Sequence, residues 1–258
     1  MNPSPLRVLL ICDPSTERGR RARMRLDDIG LEHEVVPAVF PPAERPWSPH
    51  YDEATRVNAF GYPMVRGEVG CFLAHRDAWR RAAEGADDVV LIMEDDATLA
   101  ASDVAVIQAL ASAPQLRDKL TLLFTVSRPR FRRWLQAGPA SLAIPSETTY
   151  STVAYLLGRN ATHRLLAASE TFYCPVDEFL NLEYRHGVTL LITVPMLAGH
   201  LDDASTLIGA RTKPRLSDIR RLKRNYHRLL GRLRNGARRL LTLARLGLLF
   251  TKVEKPAG

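Results

Sequence analysis

Glu94-Asp95-Asp96 is where the chain concentrates its chemistry: three consecutive carboxylates entered directly from five apolar residues, Val89-Val90-Leu91-Ile92-Met93. So short and apolar a run, with Asp87 and Asp88 before it, predicts a strand buried on both faces of a parallel sheet. The carboxylates then fall at its C-terminal end, where open α/β sheets bind ligands. Adjacent negative charges repel, and a fold that gathers them offsets the repulsion with a cation or hydrogen-bond donors. This pattern points to a divalent-metal site; the plainer alternative is a solvated turn or a helix N-cap.

The elements that position these groups follow from pattern. Leu6 to Cys12 predicts a first strand, and Asp13-Pro14-Ser15 a turn able to cap the next helix. Thr16 to Gly30 predicts that helix, carrying Arg18, Arg20, Arg21, Arg23 and Arg25. A basic helix after the first strand can meet a diphosphate; a solvated face explains the same arginines. Glu32 to Val36 predicts a second strand and so a β-α-β unit. Phe40 to Met64, with five prolines and Trp47, Tyr51, Phe60 and Tyr62, predicts a long, partly ordered covering loop.

Arg66 to Gly85 predicts a helix whose opening glycines, Gly67 and Gly70, let the backbone approach a ligand, with His75 and Arg76 in its first turns. A histidine there is either a structural hydrogen-bonder or a catalyst. Thr121 to Val126 predicts a strand and Ser127 to Trp134 an Arg-rich loop that suits a phosphorylated partner or solvent. Val188 to Val194 predicts the last strand, leading to Gly199-His200-Leu201-Asp202-Asp203.

Two linked stretches, Gly67-Glu68-Val69-Gly70-Cys71-Phe72-Leu73-Ala74-His75 and Leu91-Ile92-Met93-Glu94-Asp95-Asp96, resemble glycosyltransferase family 25. That family includes bacterial lipopolysaccharide and lipooligosaccharide glycosyltransferases and the collagen galactosyltransferases. Its members show Gly-Glu-(Ile/Val)-Gly-Cys and Ser-His ahead of a strand ending in Glu-Asp-Asp. Thr148 to Ala161 is similar to the family's strand-to-helix segment, and Pro175-Val176-Asp177-Glu178-Phe179-Leu180 to its Pro-(Val/Ile)-Asp segment. The chain departs from the pattern at Ile11-Cys12-Asp13-Pro14-Ser15 and at Gly158-Arg159-Asn160.

The resemblance implies a type A glycosyltransferase fold, Rossmann-like with a mostly parallel sheet, over residues 1–210; charge and leucine spacing, not the resemblance, predict a basic amphipathic helical tail over 211–258. It implies a nucleotide-sugar donor with Mn²⁺ or Mg²⁺ held by Asp96 and Glu94, and Asp95 on the ribose or donor sugar. Asp13, Arg18, Glu68, His75 and Arg76 are expected around the donor. His200 is either a third metal ligand or an ordinary loop residue. An acceptor hydroxyl needs a base, for which Asp177 and Glu178 are the candidates; the alternative is an acidic first turn of a helix. The implied reaction is inverting transfer of a hexose, galactose from UDP-galactose, onto lipopolysaccharide or another lipid-linked saccharide. Alternatives are a different donor with a protein or capsule acceptor, or a non-catalytic saccharide- or lipid-binding module.

The chain's 258 residues can bury a large core, and 46% apolar with 25% charged residues is ordinary for a globular protein. No secretory leader or membrane-spanning run is expected, and Cys12, Cys71 and Cys174 are expected to be free thiols in a cytoplasmic protein. The net charge of +8 is divided unevenly. From Arg211 onward 15 basic residues face 2 acidic ones, which leaves 21 basic and 26 acidic residues before it. Leu216, Leu222, Tyr226, Leu229, Leu233 and Leu240 recur at helical spacing among arginines, with Gly231 and Gly236 able to break the helix. This predicts docking in the plane of an anionic membrane, peripheral on its inner face; nucleic acid is disfavoured because Tyr226 is the one aromatic in the basic part.

Overall fold

The structure is a computed structural model that describes residues 6–201 and 218–256; Asp202, Asp203 and the start of the tail lie outside the described residues. In chain order the strands are β1 (Val8–Cys12), β2 (His33–Pro37), β3 (Val89–Glu94), β4 (Ala97–Thr98), β5 (Lys119–Leu122), β6 (Phe131–Ala137), β7 (Ala140–Pro145), β8 (Ala154–Gly158), β9 (Thr189–Val194) and β10 (Gly199–His200). The helices are α1 (Glu17–Asp28), α2 (Glu53–Phe60), α3 (Arg66–Glu84), α4 (Ala101–Ala111), α5 (Arg159–Ala168), α6 (Val176–Leu180), α7 (Glu183–His186) and α8 (Asp218–Arg245).

Eight strands form one sheet in the order β2-β1-β3-β8-β5-β9-β7-β6. β3 is parallel to β1 but antiparallel to β8, and β7 runs against both β9 and β6. The sheet is therefore mixed, with β7 and β8 running opposite to the rest, where the sequence predicted a mostly parallel one. β4 and β10 make a separate two-stranded ribbon beyond the end of β3.

Both faces of the sheet are covered, and side-chain alternation divides the core between them. Leu9, Ile11, Val90 and Ile92 join Phe72 and Trp79 of α3, Leu165 of α5 and Phe179 of α6 in one cluster. Val8, Leu10, Leu91 and Met93 join Leu26 of α1 and Ile107 of α4 in the other. Such a three-layer arrangement leaves β3 dry until its last residue and delivers the acidic triplet to one edge of the molecule.

Two expectations about loops change. The proline-rich segment contains α2, which opens on the Asp52 cap and closes at Gly61 with φ 88°. The second half of the Arg-rich segment enters β6, an edge strand on which Arg133 is exposed and Arg132 half-buried. Gly70 lies inside α3, and its bare Cα admits the chain's own Val39 carbonyl, 2.2 Å from where a Cβ would stand. A ligand is not what it accommodates.

α8 continues through Gly231 and Gly236, where the sequence allowed a break. Its second half is tied to the body: Asn235 Nδ2 donates to the Asn181 carbonyl at 2.6 Å, Arg238 to that of Gly187 at 2.7 Å, and Arg239 pairs with the buried Glu183 at 2.7 Å. The segment after it returns to the sheet edge, where Phe131 and Glu254 bridge. Leu222, Tyr226, Leu229, Leu233 and Leu240, by contrast, are each more than half exposed.

Candidate functional site

Alternation along β3 puts Glu94 on the same face as Val90 and Ile92, the face covered by α3. Glu94 Oε1 meets His75 Nε2 at 3.2 Å and accepts from the Thr152 hydroxyl. Behind it, Trp79 Nε1 donates to the Tyr155 hydroxyl at 2.9 Å, and that hydroxyl lies 2.9 Å from His75 Nδ1. Indole can only donate, so the Tyr155 oxygen accepts from Trp79 and its O–H donates a hydrogen bond to Nδ1, leaving Nε2–H to donate to Glu94. Trp79, Tyr155 and His75 are fully buried, and the chain of bonds fixes the imidazole and thereby the carboxylate. Burial pushes the Glu94 carboxyl up, but the His75 and Thr152 bonds and the Arg18 charge outweigh it and hold the group below its ordinary range.

β3 ends at Glu94, so alternation stops there and the next two residues turn. Asp95 and Asp96 share the Arg18 guanidinium of α1, with Nη2 2.7 Å from Asp95 Oδ1 and 2.9 Å from Asp96 Oδ2. Arg25 supports the turn from behind, donating to the Asp95 carbonyl at 2.6 Å. The β4–β10 ribbon brings His200 in, with Nε2 3.2 Å from Asp96 Oδ2. Asp96 Oδ1 is buried and, among the described residues, has no hydrogen-bond partner. Glu17, Arg18, Arg21, Asp95, Asp96 and Leu201 surround a cavity of about 610 Å³ here.

Two donor sets are candidates for a metal. Cys71, His75 and Glu94 place one ligand atom each within 4.8 Å of one another. Burial, and the charges of Glu94, Asp177, Asp96 and Glu68, raise the Cys71 thiol well above its ordinary range, and His75 is committed to Glu94 and Tyr155. A protonated thiol is a poor ligand for a hard cation. The carboxylate oxygens at Asp96, one of them without a partner, suit Mn²⁺ or Mg²⁺ in donor chemistry.

Asp177 stands on a helix that packs Val176 and Phe179 against Phe72 of α3, although 81 positions separate it from Asp96. That helix, α6, is opened by Pro175. Asp177 Oδ1 accepts the Glu178 amide at 2.8 Å, and Glu178 Oε2 pairs with the buried Arg56 at 3.2 Å. A carboxylate tied to a guanidinium is a weak base, which counts against Glu178.

Two of the expected donor contacts also make local hydrogen bonds. Asp13 accepts from the Ser15 amide and hydroxyl at 2.9 and 2.6 Å, closing the turn ahead of the Thr16 cap. Glu68 accepts the Val65 amide at 2.9 Å and so caps α3. Arg76 lines neither this cavity nor the second one described below. Sequence reading passed over Cys71, Thr152 and Tyr155. Cys71 could have been found from its four-residue spacing to His75, which puts both on one helix face.

Residues 13–180 match the family described as glycosyltransferase family 25, lipopolysaccharide biosynthesis protein. The chain is 29% identical over 138 residues to procollagen galactosyltransferase 1-B of Xenopus laevis, covering 50% of this chain and 22% of that protein. It is 29% identical over 182 residues to a glycosyltransferase 25 family member of Drosophila pseudoobscura pseudoobscura, covering 66% and 28%. Procollagen galactosyltransferase 2 of Homo sapiens is 25% identical over 132 residues, covering 48% and 20%. The chain thus spans less than a third of the length of these relatives.

Proposed function

The chain belongs to glycosyltransferase family 25, and from that premise we propose that it transfers galactose from UDP-galactose, with inversion, to a lipid-linked saccharide such as lipopolysaccharide at the inner face of a membrane. The observation that carries the reading is the pairing of Arg18 with Asp95 and Asp96 at the mouth of a cavity beyond the C-terminal end of β3. Breaking a sugar–diphosphate bond builds negative charge on the leaving group, and catalysis consists largely of meeting that charge as it forms. Arg18, Arg21 and Arg25 of α1 line the cavity, but Arg18 is paired with Asp95 and Asp96 and Arg21 with Glu17, so the positive charge a diphosphate would meet comes from the N-terminus of α1 and from a cation held by the carboxylates.

Asp96, with Glu94 near it, would hold Mn²⁺ or Mg²⁺, which when bound neutralises the diphosphate further. The Trp79–Tyr155–His75 chain keeps Glu94 ionised and oriented. Asp177 takes the proton of the attacking hydroxyl. The galactosyl assignment is supported by the names of the relatives, and the lipid-linked acceptor by the family description and the exposed leucines of α8.

The experiment is UDP release from a panel of UDP-sugars with Mn²⁺ or with EDTA, for wild type and Asp96→Asn. Metal-dependent release from UDP-galactose that falls at least 100-fold in the variant is expected, a loss of about 3 kcal/mol of transition-state stabilisation. Release that is indifferent to both metal and the substitution would sink the reading.

A further inference from the structure

A second cavity, of about 380 Å³, lies between α2, α6 and α8, and shares no lining residue with the first. Tyr150, Tyr173 and Tyr184 line it from the body, Arg228 and Arg232 from α8, and Glu178 from α6. Tyr150 lines the cavity together with Glu178 of α6 and Arg228 and Arg232 of α8, and burial, with the charges of Glu178 and Asp177, raises its hydroxyl above the ordinary range.

Asp96 borders the first cavity and Glu178, next to Asp177, the second; α6 packs its Phe179 against Phe72 of α3, the helix that carries His75 to Glu94. Such an arrangement suits two substrates. The chemistry of the second cavity is specific. Tyrosine faces pack against the apolar faces of sugar rings, and exposed guanidinium groups bind phosphate or carboxylate in pairs of hydrogen bonds. Arg56 balances the charge of Glu178, so the arginines of α8 are left to an incoming anion.

We propose that the cavity between α2, α6 and α8 is an acceptor site for an anionic saccharide, with Arg228 and Arg232 binding its phosphate or carboxylate and the tyrosines its ring. The inference rests on the transferase reading and adds the charge class of the acceptor. It also gives α8, which begins beyond the matched residues 13–180, a part in choosing the substrate.

The test is calorimetric titration of the full chain with galactose 6-phosphate, galacturonate, galactose and inorganic phosphate, alongside UDP release from UDP-galactose. One of the two anionic sugars should bind at least tenfold more tightly than galactose or phosphate alone; which one does so names the anion. Arg228→Ala/Arg232→Ala should weaken that binding at least tenfold, and Arg221→Ala/Arg245→Ala, an equal charge change away from the cavity, should not. No preference for an anionic sugar in a chain that releases UDP overturns the acceptor site and leaves the transferase reading standing. Binding that survives the Arg228/Arg232 change, or binding in a chain that turns over no nucleotide sugar, also overturns it.

Discussion

Burial raises the Asp96 carboxyl above its ordinary range, the Glu94 charge adds to that, and Arg18 and His200 pull it back only in part. An aspartate whose folded-state pKa exceeds its unfolded value gives up its proton first in the unfolded chain. Its ionisation therefore costs the folded state nothing below the reference value of 3.8 and the full amount above the raised one. Asp96→Asn removes that cost, and we expect it to raise the melting temperature at pH 7 by about 2 °C, the shift of under 1 kcal/mol in a chain of this size. The gain should shrink as the pH is lowered from 7 toward 4; calorimetry that shows the variant melting lower at pH 7 would contradict the account. The same residue is thus a burden on folding and a requirement for chemistry, and its neighbours were unequally visible in the sequence. Glu94, Asp95, Asp96 and His75 stand out by type and spacing, and Arg18 by its place on the first helix. Thr152 and Tyr155 do not, because they reach Glu94 and His75 across 58 and 80 positions, which no local pattern encodes.

Glu183 on the short helix α7 is almost fully buried, and burial raises its carboxyl even though the Arg239 charge opposes the shift. Removing one partner of a buried pair strands the other charge. Arg239→Ala is accordingly expected to cost about 3–5 kcal/mol in urea unfolding. Leu240→Ala, one residue on but facing solvent, should stay within about 0.5 kcal/mol. Similar losses for the two would mean that α8 is not anchored through Glu183. Elements with a strong period were placed to within a few residues from sequence: β1, α1, β3, α3 and β9. Strand direction was not, since a run of apolar residues reads the same in either orientation, and β8 was left to resemblance alone. β6 escaped because its arginines look like a loop; on the sheet edge they instead hold the returning chain, Arg132 donating to the Thr251 carbonyl and Arg133 pairing with Glu254.

Over the whole molecule, charge and apolar surface are laid out with a direction. Arg238, Arg239 and Asn235 hold α8 to the body, and at 3.6 residues per turn the stripe Leu222, Tyr226, Leu229, Leu233 and Leu240 falls on the opposite side. Among the described residues no helix is long and apolar enough to cross a membrane. A stripe of that kind beside arginines suits attachment within the interface of an anionic bilayer. Sedimentation with vesicles containing phosphatidylglycerol, but not with pure phosphatidylcholine, is the expected result, and Leu229→Glu/Leu233→Glu should reduce it at least tenfold. Equal sedimentation of the variant would assign the stripe elsewhere.

The reversed strand β8 matters before the protein is finished. β3 is complete at Glu94, and its partner on one side, β1, has already been made; the partner on the other side begins at Ala154, about sixty residues later. At about 5–20 residues per second on the ribosome, the growing chain carries β3 with one unpaired backbone edge for about 3–12 seconds. An open edge on so apolar a strand invites pairing with other chains. Yield in the cell should then depend on translation speed between Asp95 and Val153, the stretch in which the nascent protein is most in need of a chaperone.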